Sequence, residues 1–373
     1  MTTSTERPST SRREAEQASP ESLQGAAENE LSLAPSVSQV TSWPRSFLRE
    51  LAVQDLVVLV YCIILWYAAL QGEPSADRTV CVQQTTVMLG FVVVSLCAIR
   101  SGWIKSALAG GFLYRITISG VVQLSYFMFR RLLPVANPGT LDQELYALDL
   151  ALFGIEPAMA LDRFVTPLTT EWFSFFYFGY FFLIGAHILP IVFLARQRQL
   201  LGEFTFGLLT VFCTGHVVYM LVPGYGPFHA MAGEFQTQFP PGLWHDLVMN
   251  AVRSGGAFKD IFPSIHTATP TFIALFSFRH RHRLPFRYTW LPVSLFAVNI
   301  IGATMFLRWH YLIDVVAGLM LGTGALWIAV RVTRYELNRR VALGLSDSWP
   351  DMLPDVPAEE LDRAESSRLS RAT

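Results

Sequence analysis

The sequence predicts an all-α protein, a polytopic membrane helix bundle of about eight transmembrane helices. Three observations predict it. Of 373 residues, 52% are hydrophobic and only 15% charged, against roughly 25% charged in soluble domains, and the mean hydropathy is +0.37. Eight windows are apolar over much of the roughly 20 residues that a spanning helix needs. Between them, clusters of Lys and Arg fall at alternate loops, the pattern left by orientation in a bilayer.

Residues 1–44 come first, rich in Ser, Thr, Glu, Pro and Gln. They carry no apolar core to offset the entropy of folding, so a disordered cytoplasmic tail is expected; an apolar h-region is missing, so it is not a signal peptide. Residues 45–135 hold the first windows, 51–70, 80–99 and 107–129. The segment 141–164 mixes Leu, Ala and Phe with Asp142, Glu144, Asp149, Glu156 and Asp162. It is too charged to span and amphipathic enough to lie flat on the outer interface.

Windows 172–195 and 204–222 follow, then a long loop, 223–262, whose Gly224-Tyr225-Gly226-Pro227 and Pro240-Pro241-Gly242 force turns over a site mouth. The sixth window, 268–278, is short unless it starts at Pro263, which suits a first helical turn. Windows 288–306 and 311–332 complete the set. Residues 136–335 are thus expected to form a core and 336–373 a second cytoplasmic tail, mostly disordered, with Pro350, Pro354 and Pro357 marking chain without structure from about Leu345.

Arg45 and Arg49, Arg100 and Lys105, Arg196 and Arg198, 279–287 and 331–340 form the basic clusters and belong on the cytoplasmic side. The tract Arg279-His280-Arg281-His282-Arg283 reads as a topology anchor before it reads as a lipid site. Both termini are then cytoplasmic, and His266 and His310 emerge together on the opposite face. A net charge of −1 excludes a nucleic-acid partner. Cys62, Cys81, Cys97 and Cys213 lack metal-type spacing and read as packing residues.

The chemistry concentrates in Phe262-Pro263-Ser264-Ile265-His266 and Arg308-Trp309-His310-Tyr311-Leu312-Ile313-Asp314. A carboxylate beside a run as apolar as 315–330 costs a few kcal/mol unless a partner stabilises it. In a helix, residues four apart share a face, so Asp314 can fix the tautomer of His310. His310 is then the candidate nucleophile toward phosphorus, forming a covalent phosphohistidine, and His266 the acid that protonates the leaving oxygen. Ser264, with helix N-terminal amides, and Arg308 would bind phosphate oxygens. His187 and His216 lie alone inside spans and are left out, with His229 and His245, although His229 beside Gly226-Pro227 could contact substrate. A zinc ion on His266, His310 and Asp314 is the rival reading, less suited than an anion to Ser264 and Arg308.

These motifs resemble the type 2 phosphatidic acid phosphatase superfamily, and more closely its inositol phosphotransferase branch, which includes fungal inositol phosphorylceramide synthase. Phe262-Pro263-Ser264-Ile265-His266 is similar to that branch's Phe-Pro-Ser-x-His. Thr304-Met305-Phe306-Leu307 and His310-Tyr311-Leu312-Ile313-Asp314 are similar to its final segment, and Leu148-Asp149-Leu150-Ala151-Leu152-Phe153-Gly154 to an element ahead of its core.

The resemblance implies a six-helix phosphatase-type core, no metal or other cofactor, His310 as nucleophile, Asp314 as its orienting partner and His266 as general acid. The phosphatase branch's basic first motif is missing. Arg308, Lys259 and Arg253 are therefore the candidate phosphate-binding cations, and Tyr225 and Gly226 take the place of that motif at the substrate. The expected activity is a lipid phosphotransferase, sphingolipid-type or otherwise, passing a phosphoryl group from a phospholipid to an alcohol or water. The alternatives are a lipid phosphate phosphatase and a non-enzymatic lipid transporter, whose internal repeats are not found. A plasma (inner bacterial) membrane is the expected location, with the active site facing the non-cytoplasmic side.

Overall fold

The computed structural model describes residues 43–352. Expectations for residues 1–42 and 353–373 lie outside the described residues. The chain divides into residues 1–46 and a unit from Phe47 onward, and the elements below belong to the second. Seven described helices are long and apolar enough to cross a membrane: α1 (Val53–Gln71), α2 (Ala76–Arg100), α3 (Ala107–Ala136), α6 (Pro167–Leu194), α7 (Arg198–Leu221), α10 (Phe286–Phe306) and α11 (Leu312–Leu343). Between them lie α4 (Asp142–Phe153), α5 (Pro157–Leu161), α8 (Leu243–Gly255) and α9 (Ile265–Arg279).

The eighth expected span is α9, which at 15 residues is shorter than a full crossing. Pro263 lies outside its first turn. Ser264 is the N-cap, its hydroxyl accepting from the Thr267 amide at 3.2 Å, because a side-chain oxygen can satisfy a free helix N–H and a proline cannot. The third span is interrupted by a π-helical stretch, Ile116–Gly120, and a 3-10 turn, Tyr126–Met128.

Helix α9 sits in the middle, packed against α10 and α11 and flanked by α6 and α7. Two glycines let α11 approach it. A Cβ on Gly318 would lie 2.6 Å from the Ser264 carbonyl oxygen, and one on Gly322 would overlap the Ala268 carbonyl. This small-xxx-small spacing brings two helix backbones into direct contact, which apolar helices in lipid use in place of a hydrophobic driving force. It also sets the start of α9 beside the start of α11, the place where the two histidine motifs lie.

The opposite end of the bundle holds the basic clusters. Arg100 pairs with Asp55 at 2.8 Å, Arg279 and His280 both reach Glu203, and Arg340 binds Glu336 at 2.7 Å. The chain beyond α11 differs from expectation. Residues 345–352 fold back, Trp349 is 2% exposed, and the Trp349 and Pro350 carbonyls accept from Arg198 and Arg115. One large buried ring and carbonyls facing Arg115, which is buried, and Arg198, which is half-buried, outweigh a composition that otherwise reads as disordered.

Candidate active site

Two chain reversals meet at the site end. His266 follows the cap of α9, partly exposed, with its ring stacked on Tyr177 at 4.7 Å and tilted against Tyr180 at 4.3 Å, both from α6. Its centroid is 6.3 Å from that of His310. His310 lies in the turn between α10 and α11, two residues before α11 begins, so only Asp314 is helical. The pair meets nonetheless, His310 Nδ1 to Asp314 Oδ2 at 3.4 Å. That is the long end of a hydrogen bond, and catalytic contacts of this kind shorten when substrate binds. Asp314 Oδ2 also accepts from the Tyr311 amide at 3.0 Å, and among the described residues its Oδ1 has no partner.

Burial pushes the His310 imidazole down to about 4, opposed by the charge of Asp260 and by a backbone hydrogen bond at Ile261. Desolvation disfavours the imidazolium, so at neutral pH the ring keeps the lone pair that a nucleophile needs.

The start of α11 is held from a distance. Tyr311 caps it without a side-chain hydrogen bond, and Asp149 of α4 fills the role, accepting from the Leu312 and Ile313 amides at 2.6 and 2.8 Å. Asp142, on the same surface helix, accepts from the Tyr225 and Gly226 amides at 3.0 and 2.9 Å and from the Tyr311 hydroxyl at 3.3 Å. Burial raises the Asp149 carboxyl and the two amides pull it back. The acids of 141–164, read as a mark of surface exposure, are in large part clamps on the loops around the site.

Of the cations named from sequence, two have other partners. Arg308, with φ of 66°, turns to Asp162 and the Thr237 carbonyl, each at 2.7 Å. Phe235 and Phe239 flank its guanidinium at 3.9 and 4.3 Å. Lys259 donates to the carbonyls of Asn137, Pro138 and Gly139 at 3.3, 2.8 and 2.7 Å. Arg253 is exposed, with its carbonyl on Arg130. Ser264 is fully buried as a cap, and the Gly226 amide belongs to Asp142. Gly226 itself, at φ 75°, leaves room for the Trp309 carbonyl. Of the six residues named as substrate-binding, only Tyr225 lines the cavity that His266 and His310 share.

That cavity, about 370 Å³, is walled by Tyr126 and Phe127 of α3, by Tyr177, Phe178 and Phe181 of α6, and by α8. Three lining residues were missed from sequence as parts of the site: Asp260, Tyr126 and Tyr177. Asp260 accepts from the Tyr126 hydroxyl at 2.7 Å; burial raises its carboxyl, and that hydrogen bond opposes the rise. A signal existed for Asp260, an acid two residues before the Phe-Pro-Ser motif. Nothing local pointed to Tyr126, which lies 134 positions from it. His229, left out on sequence, is exposed and also lines the cavity. Among the described residues, no group of three His, Cys, Asp or Glu is arranged to hold a metal ion.

Apolar helices converging on two histidines, one backed by a buried carboxylate, define an integral membrane protein with a polar site at one end of its bundle. Residues 143–328 match the family model of the PAP2 superfamily. The match takes in Asp149, Asp260, both histidines and Asp314 and leaves out α1 to α3. No curated protein and no solved structure matches the chain.

Proposed function

We propose that the protein is a lipid phosphotransferase working through a phosphohistidine on His310. Asp314 holds His310 Nδ1, which leaves Nε2 to attack phosphorus. As the P–N bond forms, the P–O bond to the lipid breaks, and His266, which burial and His310 push down to about 3 and which the phosphate's negative charge draws back toward the imidazolium, gives its proton to the departing alkoxide. In the second half an acceptor hydroxyl passes its proton to His266 while its oxygen attacks phosphorus and the P–N bond breaks. Water in that place makes the same site a phosphatase. The observation that carries the reading is the pair of imidazoles, one backed by Asp314, facing one cavity between helices. The motif likeness to the inositol phosphotransferases favours an alcohol acceptor. With the basic ends of the helices in the cytoplasm, the site faces the other side of the membrane.

The test is product analysis with phosphorus-labelled phosphatidic acid and phospholipids, using purified protein in EDTA. Label in a new lipid supports transfer, and free phosphate alone supports the phosphatase form. Activity retained by His310→Ala, or activity lost in EDTA and restored by zinc, would overturn the phosphohistidine mechanism. Intact lipid moving between leaflets with no product would make the protein a transporter.

A further inference from the structure

The catalytic cavity has an unusual charge balance for a site that handles phosphate. Among the described residues, none of those lining it is Lys or Arg. Arg308 is committed to Asp162, and Lys259 to three carbonyls. Arg130 and Lys259 line an adjoining cavity, set over the rings of Phe258 and Tyr225. Among the described residues that line the shared space, the one acid is Asp260. Tyr126 donates to its Oδ2, and among the described residues no Lys or Arg pairs with it.

Opposite the small and aliphatic residues of α8, the walls are aromatic. Phe127, Phe178, Phe181, Tyr225 and Phe258 come from two helices and two loops, and Phe127 and Phe181 are 67% and 54% exposed. Ring faces beside a carboxylate form the surroundings that attract an organic cation, through the ring quadrupole and the opposite charge together. They disfavour a phosphate monoester, whose second negative charge would meet Asp260 with no basic group on the wall. A polyol head group would call for several donors and acceptors, and rings offer few.

We propose that Asp260, oriented by Tyr126, is a specificity-determining residue that binds the ammonium of a zwitterionic phospholipid head group, so that the donor lipid is a phosphodiester carrying an amine. The inference rests on the phosphotransferase reading and names its donor. The substrate brings the positive charge that the cavity walls lack. The ammonium sits against Asp260 and the rings while the phosphodiester, with its single negative charge, faces His310. Diacylglycerol leaves first, and the head group stays on phosphorus through both steps, with Asp260 as its anchor.

The test uses the full-length protein in mixed micelles and measures diacylglycerol release from phosphatidylcholine, phosphatidylethanolamine, phosphatidylglycerol, phosphatidylinositol and phosphatidic acid. The expected wild-type kcat/KM for the best amine lipid exceeds that for each of the other three by at least roughly tenfold. In Asp260→Asn that ratio falls by roughly tenfold, and in Tyr126→Phe by a smaller factor in the same direction. Tyr126→Phe keeps ring and volume, so it decides the matter if Asp260→Asn does not fold. A wild-type preference for phosphatidylinositol or phosphatidic acid overturns the proposal, as does an equal loss on all lipids in both variants. Diacylglycerol from none of the five would instead overturn the phosphotransferase reading itself.

Discussion

Gly318→Ala tests whether the helix contact that brings the two histidine motifs together controls the chemistry. The added Cβ would stand 2.6 Å from the Ser264 carbonyl oxygen and 2.9 Å from Thr267 Cβ, against 3.4 Å for ordinary contact. Both neighbours belong to α9, and the first is backbone, so relief comes by moving one helix away from the other by about 0.8 Å, the shortfall against ordinary contact. Productive geometry tolerates displacements of roughly 0.5 Å, and a misplacement of about 1 Å can cost a hundredfold in rate. The separation falls between His266 on α9 and His310 just ahead of α11, whose ring centroids are 6.3 Å apart. We expect kcat to fall roughly 10- to 100-fold, with a stability loss of about 1–3 kcal/mol from overpacking. The assay is lipid turnover beside thermal unfolding in detergent. Gly324→Ala is the control, since its Cβ meets nothing within 4 Å on the same helix; it should melt at or slightly above the wild-type temperature with normal turnover. Gly318→Ala with wild-type turnover and melting would show that the close approach does not position the site.

Asp149→Asn should lower stability by about 1–2 kcal/mol, the cost of losing a good cap, because the amide offers one acceptor oxygen to two helix N–H groups; thermal melting in detergent checks it, and an unchanged midpoint counts against the clamp. Arg308→Lys should destabilise the fold and leave KM for lipid near its wild-type value, because the guanidinium lies between two Phe rings and binds Asp162; a KM rise at unchanged stability would return Arg308 to the phosphate. For pH, protonation of His310 removes the nucleophile, and its lowered pKa delays that loss to more acid solution. The acid limb of kcat/KM should therefore lie near 4 rather than near the ordinary histidine range, and a limb at 6.5 in the pH–rate profile would refute the assignment.

The sequence shows the helices well because bilayer thickness and hydropathy set their lengths, and it shows the His310 and Asp314 pair because a four-residue spacing is a local matter. It hides what depends on distant partners. Arg308 stands two residues from His310, which suggests a shared site, yet its backbone at φ 66° turns the side chain toward Asp162. Lys259 and Asp260 are neighbours that face different ways, one into carbonyls and one into the cavity. Trp349 defeats a compositional reading of the tail because a single buried ring, 2% exposed, suffices to dock a short segment.

The clamp from Asp149 onto α11 also orders events in time. The acid is synthesised 163 residues before the amide of Leu312 that it caps, and Asp142 precedes the Tyr311 hydroxyl by 169. During membrane insertion the surface helix α4 must therefore wait, its carboxylates in water, until the last span emerges. The His310 end of the site is built only when α11 arrives. A nascent chain halted before that point carries α9 and His266 but neither His310 nor Asp314, so the reactive centre is withheld until biogenesis of the bundle is nearly finished.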